Sequence, residues 1–593
     1  MYWFNPIYNK LPAGPIKRNQ KVTYTLQISK EINSTAVDFC YSYDFSADPE
    51  RVNMTQTDIG DKIEYTCSVQ YEKSGLYWYY FEVYQGEHKF YLQAKPDFDV
   101  EPTGELSTRF QQLVYNKKSR TKKSFKGGVM YHVFVDRFNK VGKVKPRYDL
   151  ILRDDWGGEI TKNSQDFEVI NRECFGGTLK GIEKKLSYFK SLNVSTLYLS
   201  PIFEANSYHK YDTANYLKVD SMFGSEKDLK SLIVKAREKD INIILDGVFN
   251  HTGSDSIYFN KLNRYDSVGA YQSQKSPYFK WFEFQEYPNK YSSWWGIDTL
   301  PQIKKGNSSF INFLTKSGGV IQKYLNMGIL GYRFDVVDEL CEKTLKAICK
   351  SAREVRSTCL LLGEVWEDAS NKIAYDERKK YFLGAELDSV MNYPIKDSII
   401  NYVTTGNSEN LRNTLYMVKD HYPKDVRDNL MTILGTHDTS RIFSVLCEAT
   451  NNCEFKAFKL LKIATLIQFT VMGVPCIFYG DEQGLKGVGA PYCRVCFPWD
   501  KQNKKIKNWY VLLGQLRDNP VFEKGLLNVL TANNGLFGFE RVAGRKKVVV
   551  YTNCSNTEAK VTLNEKLKNY ITKKQSPKTI RVMPYSFVIL IKE

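Results

Sequence analysis

Ile329-Leu330-Gly331-Tyr332-Arg333-Phe334-Asp335-Val336-Val337 is a run of apolar and β-prone residues broken by one arginine and one aspartate. It reads as a buried parallel strand whose end holds a charged pair near open solvent, the place where barrel enzymes keep their chemistry. Glu364 and Asp438 end similar short apolar runs, so three acids can converge although about a hundred residues separate the outer two.

Working outward from this stretch, the chain alternates strand and helix. Further strands are predicted over 129–135, 195–201, 241–246, 359–364, 386–391, 430–435 and 475–480, with helices over 179–192, 226–239, 310–327 and 506–517. Alternation of this kind predicts a parallel sheet wrapped by helices, and eight strands are the number that closes a (β/α)8 TIM barrel. The barrel is assigned to 127–520. Residues 252–308, rich in Tyr, Trp, Phe, Ser and Asn, are too long for a structureless loop and are expected to form an inserted subdomain, or lid, after strand three.

Before the barrel, segments such as Lys21 to Ile28 and Gly75 to Tyr84 alternate with period two, which predicts an N-terminal β-sandwich over 1–115. The run Lys117-Lys118-Ser119-Arg120-Thr121-Lys122-Lys123 reads as part of a basic linker, 116–126. Short alternating strands over 521–593 predict a second, C-terminal β-sandwich.

Composition narrows the class. Of 593 residues, 42% are hydrophobic and 25% charged, as in an ordinary globular protein, whereas 14% aromatic is high. The excess suits either surfaces that stack on sugars or bases, or the cores of β-domains. A net charge of +18 can signal nucleic acid or membrane, but outside the linker the lysines are scattered over amphipathic helices. The expectation is a solvated basic surface with neither nucleic acid nor membrane as partner. Twelve cysteines follow no repeating spacing, and the lone Cys493/Cys496 pair lacks the second pair or nearby histidines of a zinc site. Free buried thiols in a reducing compartment are expected. The start, Met1-Tyr2-Trp3-Phe4-Asn5-Pro6, lacks the features of a secretory signal, so a cytoplasmic location is expected if it is native and a secreted one if a signal was removed. Ala464 to Tyr479 contains Gln468, Gly473 and Pro475, which marks a helix end followed by a strand rather than a membrane span.

Four short stretches end predicted strands three, four, five and seven: Asp246-Gly247-Val248-Phe249-Asn250-His251, Gly331 to Asp335, Gly363-Glu364-Val365-Trp366 and Gly435-Thr436-His437-Asp438. Singly each is weak; in this order on one barrel they are specific. With Tyr208-His209-Lys210-Tyr211-Asp212, Met391-Asn392-Tyr393-Pro394 and Phe478-Tyr479-Gly480-Asp481-Glu482, the chain resembles the α-amylase family of glycoside hydrolases (family 13), within it the neopullulanase and cyclomaltodextrinase-like group. The resemblance covers nearly the whole chain.

It implies hydrolysis of α-1,4-glucosidic bonds in starch, maltooligosaccharides, pullulan or cyclodextrins, with retention through a covalent glycosyl-enzyme. Asp335 matches the nucleophile, Glu364 the acid/base and Asp438 the third carboxylate that grips the distorted sugar. Arg333 would hold Asp335 ionised. His251 and His437 match histidines that bond the sugar at the cleavage subsite, Tyr211 its stacking platform, and His209 belongs to the same constellation. Asp246 and Asn250 match supporting residues. Trp294, Trp295 and Trp366 are either core residues or sugar platforms. An α-glucosidase, a glucanotransferase or a catalytically silent glycan-binding scaffold are the alternatives. No cofactor is expected and no metal ligands are assigned; calcium elsewhere in the chain stays open, but many relatives bind it at an acidic loop after strand one, whereas Arg137 to Lys145 is basic here. Asn250 matches a calcium-binding position of some relatives, but Val336-Val337-Asp338-Glu339 does not reproduce the partner region, and Gln302 stands where Lys is commoner. An α-glucan is the expected partner, and the N-terminal domain is the expected surface of a homodimer.

Overall fold

The strand in the opening stretch forms, but it stops short of its apolar run. In the computed structural model it spans Gly331–Phe334; the sequence-based expectation carried it through Val337. Val336 instead enters the left-handed region at φ 38°, ψ 53°, and Val337–Glu339 is a single 3-10 turn. A β-branched residue at positive φ is an outlier held only where its surroundings over-determine it. The structure describes residues 1–592 apart from 45, 47, 118–124, 148–149, 162–170 and 385, so most of the basic linker lies outside the described residues.

Seven more parallel strands complete the barrel sheet. In chain order they are β1 (Met130–Val133), β2 (Thr196–Leu199), β3 (Asn242–Gly247), β4 (Gly331–Phe334), β5 (Leu360–Gly363), β6 (Ser389–Val390), β7 (Met431–Thr432) and β8 (Val474–Phe478). The sheet order is β6-β5-β4-β3-β2-β1-β8-β7, and a single parallel bridge, Met391 with Met431, joins its two ends. The sixth and seventh strands are thus much shorter than their apolar runs. Side chains alternate across β4: Tyr332 donates from its hydroxyl to Ile321 O at 3.0 Å in the flanking helix Val320–Met327, whereas Arg333 pairs with Asp246 of the neighbouring strand.

The helix predicted over 310–327 is two helices, Ser308–Thr315 and Val320–Met327, separated at Gly318 and Gly319, the first of which has φ 70°. Likewise 179–192 divides into Leu179–Lys184 and Leu186–Ser191 at Lys185. The apolar stretch 464–479 is the end of helix Glu454–Thr470 followed by β8, and no helix among the described residues is long and apolar enough to cross a membrane. The insertion after β3 holds two short paired strands, Phe284–Glu286 and Lys290–Tyr291, over an aromatic cluster of Phe259, Phe282 and Tyr291.

By compactness the chain divides into two units: Met1–Ser119 with Asp368–Asp388 and Asn407–Arg427, and Arg120–Glu367 with Ser389–Gly406 and Asp428–Glu593. In the first, two sheets face each other. Val22, Tyr24, Leu26 and Ile28 of Lys21–Ser29 meet Phe39, Tyr79, Phe81 and Val83 in one buried core, the period-two reading realised. Tyr24, Tyr65, Tyr71 and Tyr79 are fully buried there, so part of the aromatic excess is core filling. In the second unit, a C-terminal five-stranded sheet and a two-stranded sheet enclose Val549, Tyr551, Ile580, Val582 and Leu590. No disulfide links the cysteines among the described residues.

Gly331 fits only because it lacks a side chain: a Cβ there would lie 1.8 Å from the Leu360 carbonyl oxygen. The obstacle is backbone, so Gly331→Ala is expected to lower stability by about 3 kcal/mol, the upper end of overpacking costs, read as a fall in the urea midpoint.

Candidate active site

The parallel register places one cation among three acids. Asp246 on β3 lies level with Arg333 on β4, and Arg333 level with Leu362 on β5, so the residues two positions on, Asp335 and Glu364, emerge together at the C-terminal end of the sheet. Arg333 has no exposed surface. Its Nη1 pairs with Asp246 Oδ1 at 3.0 Å and with Asp335 Oδ1 at 2.7 Å, and its Nη2 with Glu364 Oε2 at 2.9 Å. The strained turn at Val336 serves the same cluster, because its amide donates to Glu364 Oε2 at 2.9 Å. The Trp366 indole N–H donates to Glu364 Oε1 at 3.3 Å.

Three buried carboxyls around one guanidinium cannot all ionise freely. Burial pushes Asp335 well above the ordinary carboxylate range; Arg333 opposes the rise, while Glu364 and Asp246 add to it. Asp246 is likewise raised by burial, against the pull of Arg333 and of hydrogen bonds from Tyr198 and Tyr211.

Asp438 joins through a second set of contacts. Tyr211 donates from its hydroxyl to Asp246 Oδ2 at 3.0 Å and stands 2.6 Å from His437 Nε2, which lies 3.0 Å from Asp438 Oδ2. One continuous chain of polar contacts therefore runs from Glu364 and Asp335 through Arg333, Asp246, Tyr211 and His437 to Asp438. Tyr211 lies parallel to the His437 ring, at 5.1 Å between centroids and 4°. Its amide donates to His209 Nδ1 at 3.2 Å, which brings His209 to the site as well.

His251 is buried, stacked on Trp294 at 5.2 Å and 21°, and its Nε2 has no protein partner. Burial pushes it down to about 4 and holds His437 and His209 well below their usual value too. The three histidines are therefore neutral at neutral pH, able to donate and accept hydrogen bonds without adding charge. Asn250 holds the chain in place: Gln302 Nε2 donates to Asn250 Oδ1 at 3.1 Å, and the Ile303 amide to Asn250 O at 2.9 Å. These bonds anchor the far end of the insertion. The single helical turn after β1, Val135–Phe138, holds its own charge pair, Arg137 Nε with Asp136 Oδ2 at 2.6 Å.

Sequence reasoning missed two members. Arg494, between the cysteines read as a weak zinc signal, is buried and pairs through Nη2 with Asp438 Oδ1 at 3.2 Å; its Nε donates to His437 O at 2.8 Å and its Nη1 to Tyr208 Oη at 2.9 Å. Tyr198, in the middle of β2, donates to Asp246 Oδ2 at 2.5 Å. Neither carries a local signal, because each depends on which strand lies beside it. Trp366 is 45% exposed and stacks flat on Tyr393 at 4.1 Å, the arrangement of a platform rather than a core residue.

A parallel barrel with acids gathered at the C-terminal ends of its strands has the site position of barrel enzymes, and comparison with known proteins narrows the class. Residues 132–511 match the family model described as the alpha amylase catalytic domain. The chain is 31% identical to an amylopullulanase of Thermoanaerobacterium saccharolyticum across 93% of its own length and 48% of that protein's. It is 30% identical to a cyclomaltodextrinase of Thermoanaerobacter pseudethanolicus across 74% of this chain and 72% of that one. Among solved structures, a cyclomaltodextrinase superposes with a TM-score of 0.71 at 23% identity over 97% of both chains. The type III pullulan hydrolase from Thermococcus kodakarensis superposes at 0.69 and 23% over 100% of both. This chain belongs to the alpha-amylase family. It spans about half the length, or less, of the amylopullulanases it matches.

Arg333→Met leaves three buried carboxyls without their cation and is expected to cost about 3–5 kcal/mol near neutral pH. Loss of the cation raises Asp335 and Asp246 further, and a raised native value means stability that is present at low pH and lost as pH rises through it. The variant should therefore recover toward wild type as the pH of a urea titration is lowered.

Proposed function

We propose that this chain is a retaining glycoside hydrolase that cleaves α-1,4-glucosidic bonds in starch-derived glucans, namely starch, maltooligosaccharides, pullulan and cyclodextrins. The observation that carries the reading is the pairing of Asp335 and Glu364 with the two terminal nitrogens of one guanidinium, at 2.7 and 2.9 Å. A retaining enzyme needs two carboxyls about 5 Å apart, one to attack and one to hand over a proton. One guanidinium brings the two acids together, as a paired-carboxyl mechanism requires. The names of the relatives, amylopullulanase and cyclomaltodextrinase, support the substrate class.

In this reading Asp335 Oδ attacks the anomeric carbon as the bond to the leaving oxygen breaks, and Glu364 gives its proton to that oxygen. A water molecule then loses a proton to Glu364 and attacks the glycosyl-enzyme, which releases Asp335 as a carboxylate. Arg333 opposes the burial that would keep Asp335 protonated. Asp438, gripped by Arg494 and His437 yet 33% exposed at its side chain, is free to accept hydrogen bonds from sugar hydroxyls as positive charge develops on the ring. The neutral His251 and His437 hydrogen-bond the sugar without repelling that charge.

The first test is the product pattern from pullulan by chromatography, with soluble starch in parallel. Panose is expected; products from starch alone would restrict the reading to an α-amylase of narrower site, and no product from either would sink it. Proton NMR of the first product should show the α-anomer ahead of mutarotation, whereas initial β-anomer would refute retention. Asp335→Asn should abolish turnover while keeping glucan binding, and Glu364→Gln should lower kcat by about 10²–10⁴-fold.

The pH profile supplies a further check. Asp335 must be ionised to attack, so activity falls as pH drops through its raised value. Asp246→Asn removes a negative neighbour and frees Arg333 for Asp335, so the acid limb of kcat/KM is expected to move to lower pH.

A further inference from the structure

The chain places a tryptophan where backbone and solvent least favour one. Trp295 has φ 52° and ψ 29°, and it is 79% exposed. Bulky residues rarely enter the left-handed region, and a large aromatic ring left in water forgoes its burial. The turn that holds it is closed on all sides. The Trp294 amide donates to Leu300 O at 3.0 Å, Ile297 to Trp294 O at 3.0 Å and Leu300 to Ile297 O at 2.8 Å, while Ser293 bridges to Pro301 and Gly296 continues at φ 76°. The exposed ring is thus a built feature rather than a frayed loop tip.

Its orientation is equally determined. Trp295 stacks on Trp294 at 5.1 Å and 23°, and Trp294 on His251 at 5.2 Å and 21°, so a ladder of three near-parallel rings leads outward from a buried histidine of the candidate site. The ladder also holds unused hydrogen-bonding capacity, because both His251 Nε2 and Trp294 Nε1 are buried without a protein partner. An apolar face at the end of the ladder, with unpaired polar nitrogens along it, matches a pyranose ring, which offers a flat apolar C–H face with hydroxyls at its rim.

We propose that Trp295 is the platform of an outer subsite, which stacks a glucosyl unit of the α-glucan beyond the unit held at His251. The proposal rests on the glucan-binding part of the function proposed above. It makes Trp295 a determinant of chain-length preference: only oligosaccharides long enough to reach past His251 gain from it.

The test separates binding from turnover. In an Asp335→Asn background, affinities for maltotriose and maltoheptaose are measured by calorimetry with and without Trp295→Ala. The ratio of maltoheptaose to maltotriose affinity should fall between about twofold and about tenfold, the range of an aromatic stacking contact, and Trp295→Phe should restore most of it. An unchanged ratio, an equal loss for both lengths, or binding of neither sugar by the parent overturns the proposal; so does loss of self-association, seen by sedimentation, with glucan affinity intact, which would make the ring a contact between copies. Turnover of starch by the unmutated chain decides the hydrolase reading independently. A length-dependent effect of Trp295 in a chain that turns over no glucan would leave the subsite standing and the enzyme reading refuted.

Discussion

A guanidinium with no exposed surface, ringed by three carboxyls from three successive strands, is the constraint on which the rest of the site depends. Arg333 cannot shed its charge, so it must be paired wherever the fold puts it, and its planar fork can meet several acids in one plane. The pairing exists only in one register. Asp246 opposite Arg333, and Arg333 opposite Leu362, put Asp335 and Glu364 level at the mouth of the barrel. A slip of one residue in β4 would turn the arginine toward the helices and leave the acids uncompensated. The arrangement of the acids and the strand register are therefore one condition.

The same sharing of partners extends to the opposite wall. Tyr211 bonds to both Asp246 and His437, so a single hydroxyl couples the acids of β3 and β4 to the third acid after β7. Burial keeps the histidines neutral, which leaves the arginines as the cations of the network: Arg333 at one end and Arg494 at the other. Backbone strain at Val336 serves this network, because the left-handed turn there delivers an amide to Glu364.

Arginines also settle how the barrel meets the C-terminal sheets. The helix Glu454–Thr470 ends just before β8 with carbonyls that no further turn can satisfy. Arg517 donates to Phe469 O and Gly473 O, both at 3.1 Å, and Arg541, on a C-terminal strand, to Val471 O at 2.6 Å. Two buried cations at a helix C-terminus favour the macrodipole as well as satisfying the acceptors. Part of the net positive charge is thus internal.

By itself the sequence determined the fold class, the eight-strand rhythm, the two flanking β-domains and the identity of the residues that meet around Arg333. Strand periodicity and the placement of acids after short apolar runs are local properties, and local properties are written in order along the chain. Other features were decided only by the tertiary structure. Val336-Val337 is as β-prone as the residues before it, yet leaves the strand because its amide is needed at Glu364. Arg494, between two cysteines, enters the site only because β7 and the chain after β8 come together at Asp438. Tyr198 became part of the site through its neighbour on β3, and Trp295 became an exposed ring through a turn closed by hydrogen bonds on both sides. In each case the deciding contact joins particular side chains or backbone groups whose meeting no periodicity along the chain records, so its energy appears only when the fold brings them together.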